Sequence, residues 1–67
     1  TLSDARQRVL LNMAFNLGRT RLSQFHGMLA ALQAMDYEMV ALEMRNSKWY
    51  TQVGDRAKRL ALMMEEG

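Results

Sequence analysis

The stretch Val9-Leu10-Leu11-Asn12-Met13-Ala14-Phe15-Asn16-Leu17-Gly18 decides the fold. Seven of the nine residues before Gly18 are apolar, interrupted by Asn12 and Asn16 alone. A helix that is apolar on nearly every side reads as a buried central helix. Gly18 reads as its C′ residue, where positive φ costs glycine little. Upstream, Ser3 and Asp4 supply an N-cap and a first-turn acid. Downstream, Arg19 to Gln24 is polar apart from Leu22 and fits one short helical turn. Phe25, Met28, Leu29 and Leu32 then recur at i, i+3, i+4 and i+7, an amphipathic helix. Asp36 is the next N-cap, and Tyr37, Val40, Ala41 and Met44 repeat the spacing. Asn46 and Ser47 break that run. Trp49 and Tyr50 lie on a short segment ending near Val53-Gly54, and Asp55 opens a last helix striped by Ala57, Leu60, Ala61 and Met64. The reading is an all-α bundle of five or six short helices around a buried central helix.

Composition bounds the rest. The chain has 67 residues and a mass of 7.7 kDa, room for one small domain. A chain this short buries only about 60% of the surface its unfolded form exposes. It usually needs a staple or a partner. There is no Cys, hence no disulfide, and one His, so zinc-finger chemistry is excluded. Apolar residues reach 49%, too many for a disordered chain. No apolar run approaches a membrane span, and no signal peptide opens the chain. Neither a membrane nor a cofactor is expected. Thr1 is no initiator Met, and Gly67 follows directly on a helical pattern, so the chain reads as a piece of a longer protein. The net charge is +2, with Arg6, Arg8, Arg19 and Arg21 in the first half against Asp4. That mild excess suits anionic partners without naming one.

Each candidate for chemistry has a plain structural reading beside it. Arg8, Asn12 and Asn16 share a face at i, i+4 and i+8. Amides in a buried helix cost free energy unless bonded, so they bond a loop or water, or they line a groove for a polar ligand beside Phe15. Aromatic-plus-amide surfaces suit sugar rings. Trp49-Tyr50 are core anchors with satisfied polar tips, or rings of a binding cleft. Arg56, Lys58 and Arg59 put positive charge at a helix N-terminus, against the dipole. His26 stands alone, which excludes a metal site. The seven Met fill core or interface gaps.

Glycoside hydrolysis commonly needs two acids, one in a pocket that raises its pKa. Glu65 and Glu66 splay apart, and Asp36 and Glu38 do not share a face. No nucleophile–base pair or phosphate loop appears. By its residues the chain holds no self-contained active site and no catalytic residue. A helix-turn-helix begins acceptably at Ala14 and Gly18. It then fails at Arg19, Gln24 and Gly27, where apolar residues belong. A nucleic-acid partner is therefore not expected, though a nucleic-acid-binding domain stays as a minor alternative. A non-catalytic helical interaction module is the larger one.

Two blocks carry a resemblance. Leu11-Asn12-Met13-Ala14-Phe15-Asn16-Leu17-Gly18 resembles the central helix of lysozymes of the T-even phage type. Residues 47–59, Ser-Lys-Trp-Tyr-Thr-Gln-Val-Gly-Asp-Arg-Ala-Lys-Arg, resemble their last two helices. The distance between the blocks fits without a gap. The resemblance implies the helical C-terminal lobe of a muramidase, residues 1–67, without the N-terminal lobe that carries the catalytic Glu. The family cleaves the β-1,4 link between N-acetylmuramic acid and N-acetylglucosamine in peptidoglycan, with the glycan between the lobes. Phe15 and Asn16 would face that glycan. Arg56 matches an arginine that reaches across to the catalytic Glu, and Trp49 and Gln52 match supports of the cleft wall. Met28 and Glu43 stand where the family has small or amide sugar-contact residues. The resemblance further implies a phage protein made in the bacterial cytoplasm and acting on the wall in the periplasm. It implies the N-terminal lobe as partner, an isolated lobe that is inactive, and self-association through the groove a missing helix uncovers.

Overall fold

A computed structural model describes residues 2–67, and these form five helices. The first, α1, spans Asp4–Ser23. Ser3 caps it, its Oγ accepting from Arg6 N at 3.2 Å. Gly18 bends it at φ 80° and ψ 163°, a region that essentially only glycine enters. The helical dihedrals do stop at Gly18 with positive φ, as expected, and the short polar turn beyond it forms a second helical piece that ends at Ser23.

Helix α2 covers His26–Gln33 and α3 covers Tyr37–Arg45. The Asp36 carboxylate caps α3 by accepting from Met39 N at 3.2 Å. Helix α4 is Lys48–Val53, capped by Ser47 Oγ on Tyr50 N, also at 3.2 Å. Helix α5 is Asp55–Glu66. The caps at Ser3 and Asp36 sit where the sequence placed them, and Ser47, read only as a break, caps α4, because each is a local contest. A short polar side chain satisfies an N–H that the helix leaves unpaired.

Helix α5 packs against α1, α3 and α4, and α3 packs against α2 and α4 as well. Ala41, Ala57 and Ala61 are fully buried. Small residues there let α3 and α5 approach closely. Met13, Met28, Met44 and Met64 are the largest fully buried side chains, with Val9, Val40 and Trp49 around them. The core-filling role expected of Met holds for these four and for half-buried Met63, whereas Met35 and Met39 are exposed.

The burial expected all round α1 is met along one stripe only. Val9, Met13 and Leu17 face the core at i, i+4 and i+8. Leu11 is 61% exposed and Phe15 90%. The physical reason is topological: α1 packs chiefly on α5, on one side, and Leu11 and Phe15 on its outer face stay in solvent.

Candidate functional site

The polar row of α1 forms a bonded chain. Asn12 Nδ2 donates to the Arg8 carbonyl at 2.9 Å, and Asn16 Nδ2 donates to the Asn12 carbonyl at 3.0 Å. Asn12 Oδ1 accepts from Arg56 Nη2 at 3.1 Å. The amides therefore bond their own helix and the first turn of α5. Phe15, the next residue to Asn16, stands almost wholly in solvent. Amide and guanidinium thus meet where α1 packs on α5, while the Phe15 ring stands on the open side of α1.

Trp49 and Gln52 are not joined to that row by any recorded hydrogen bond. Gln52 is exposed on α4. Trp49 is 3% exposed, and its Nε1 has no acceptor among the described residues. The satisfied tip expected of this ring is corrected. Its side chain sank into the core to fill volume, and the indole N–H went with it unpaired. A buried donor of that kind costs about 1–3 kcal/mol.

Trp49 lines a cavity of about 440 Å³ between the end of α1, α2 and the α3–α4 connection. Leu17, Phe25 and Met28 give it an apolar side, while Arg21, Glu43 and Lys48 bring charge. Glu43 swings across from α3 and lays its carboxylate over Gly27, where a Cβ would collide with it. Sequence reasoning missed Arg21 and this approach. The signal available was Gly27 itself, an isolated glycine inside a helical pattern. His26 also lines the cavity, exposed in the first turn of α2.

The carboxylates are scattered. No charged side chain is buried among the described residues, and no three His, Cys, Asp or Glu cluster as a metal would require. No described helix is long and apolar enough to cross a membrane.

Over 66 residues the chain is 38% identical to the pre-baseplate central spike protein Gp5 of Enterobacteria phage T4, which spans 98% of this chain and 12% of that protein. It is 32% identical to probable T4-type lysozyme 2 of Dictyostelium discoideum, over 98% of this chain and 39% of that protein. The chain is homologous to part of a T4-type lysozyme. A peptidoglycan hydrolase, gp36 of Pseudomonas phage phiKMV, is 43% identical over 73% of the chain and 6% of its own length. This chain therefore spans well under half of each of these relatives. No family model matches, and no solved structure matches. The lysozyme likeness runs through α1 to α5 and takes in both the Asn12–Arg56 surface and the Trp49 cavity.

Proposed function

We propose that this chain is the helical C-terminal lobe of a phage-type lysozyme and forms one wall of its glycan cleft. The parent protein hydrolyses the N-acetylmuramic acid to N-acetylglucosamine link of peptidoglycan. The observation that carries the reading is end-to-end similarity to T4-type lysozymes in a chain whose carboxylates are all unburied and dispersed. Two acids set on either side of a bond are what the reaction needs. This lobe offers the complementary parts: an exposed Phe15 to lie against a sugar ring, the Asn16 amide for hydroxyls, and a cation at Arg56. Trp49 and Gln52 stand behind as wall supports.

The N-terminal lobe with the catalytic Glu is the proposed partner, and the site of action is the bacterial wall, reached in the periplasm after synthesis in the cytoplasm. The isolated lobe is inactive. It associates with itself through Leu11 and Phe15, apolar neighbours at i and i+4 on the open face of α1.

The test is clearing of a cell-wall suspension. The pure 67-residue chain should clear no faster than a boiled control, and the chain joined to the acid-bearing lobe should clear it. Clearing by the chain alone would sink the inactivity, and no clearing by the joined protein would sink the lysozyme reading. Light scattering that shows a strict monomer at high concentration would sink the self-association.

A further inference from the structure

Asn12 makes two directional bonds at once. Its Nδ2 donates one turn back to the Arg8 carbonyl, and its Oδ1 accepts from Arg56 Nη2. The first bond sets the second. With Nδ2 turned back along α1, Oδ1 is left to face α5. Arg56 itself stands in the first turn of α5, where positive charge opposes the helix dipole. It is exposed, and among the described residues no carboxylate pairs with it. Its charge is unmatched by any described carboxylate, yet a side-chain amide 44 residues away holds it.

We infer that Asn12 is a positioning residue for Arg56. It spends one of the five guanidinium N–H groups and leaves the other four for a carboxylate presented across the cleft. The inference rests on the lysozyme reading for what presents that carboxylate, but not for the geometry. The residue type matters. An amide is neutral, so it fixes the guanidinium without spending its charge. Aspartate would hold Arg56 and neutralise it. Alanine would release it.

Two measurements test this. The first is rotation of the Arg56 guanidinium by nitrogen-15 NMR on the full chain, the signal assigned by its loss in Arg56→Lys. Rotation should be slow in the unchanged chain, about tenfold faster in Asn12→Ala, and slow again in Asn12→Asp. Fast rotation in the unchanged chain overturns the inference without any variant having to fold. Equal rotation in Asn12→Ala overturns it as well. The second is kinetics on the lysozyme polypeptide that carries this chain. Asn12→Ala should lower kcat about tenfold and leave KM within about twofold. A merely structural Asn12 would change thermal stability and leave Arg56 motion and the kcat–KM split alone. An unchanged polypeptide that clears no wall refutes the lysozyme reading. A held Arg56 with an unchanged kcat in Asn12→Ala refutes the positioning role.

Discussion

Replacing Arg6 by Ala should cost this chain a large part of its stability. Arg6 lies near the start of α1, yet its Nε donates to the Met64 carbonyl at 2.7 Å and its Nη2 to the Glu65 carbonyl at 3.1 Å. Its guanidinium also sits 3.7 Å from the centroid of the Tyr37 ring. One side chain thus ties α1, the entry of α3 and the last turn of α5. The two hydrogen bonds contribute about 1 kcal/mol each once hydration of the freed carbonyls is allowed for. Positive charge at a helix C-terminus adds about 0.5 kcal/mol. The partly exposed ring contact adds about 0.5 kcal/mol more. The expected loss is about 2–3 kcal/mol, against a total of about 3–10 kcal/mol for a chain of this length. At about 4–8 °C per kcal/mol, Tm should fall by about 10–20 °C. Arg6→Lys keeps the charge and loses the fork, so it should retain roughly half of the effect. Urea unfolding followed by Trp49 fluorescence and by far-ultraviolet circular dichroism measures both variants. A loss for Arg6→Ala within about 0.5 kcal/mol, the range of an ordinary surface change, would refute the reasoning.

Three further outcomes are expected. Gly18→Ala should destabilise by about 1–3 kcal/mol although open space surrounds the glycine, because its φ of 80° strains any side chain; equal thermal melts for the two chains would contradict this. Phe15→Ser should leave the melt within about 0.5 kcal/mol because the ring is 90% exposed, while slowing wall clearing by the two-lobed protein; a large loss of stability would show that the ring is covered in solution. Arg45 Nη1 and Glu65 Oε1 lie 2.8 Å apart with side chains about a third exposed, so a double-mutant cycle should give a coupling of about 0.5 kcal/mol that shrinks in high salt. The Glu65 hydrogen bond raises the Arg45 pKa above its usual value, so the stabilisation from that side is fully present below the unfolded value and is lost only as pH rises through the folded one. A melt that weakened between neutral and mildly alkaline pH in the unchanged chain, and not in Arg45→Ala, would count against that pH window.

The sequence by itself determined the helices and most of the core. Ser3, Asp36 and Ser47 are caps because capping is decided within a few residues. Val40, Ala41 and Met44, then Ala57, Leu60, Ala61 and Met64, are buried as their spacing requires. The candidate site was named from the sequence as a list, Phe15, Asn16, Trp49, Gln52 and Arg56, because these stand in recognisable blocks. Only the tertiary structure decided their arrangement. Arg56 meets Asn12 across 44 positions, and Arg6 meets Met64 across 58, where periodicity carries no signal. The same holds for Glu43 lying over Gly27 and for the unpaired indole of Trp49. Nor could pattern tell which side of α1 is covered. A helix apolar all round offers every face for burial, and only the packing of later helices selects Val9, Met13 and Leu17 and leaves Leu11 and Phe15 in water. Hydrophobic burial is non-directional, so sequence counts the apolar surface and topology chooses where it goes.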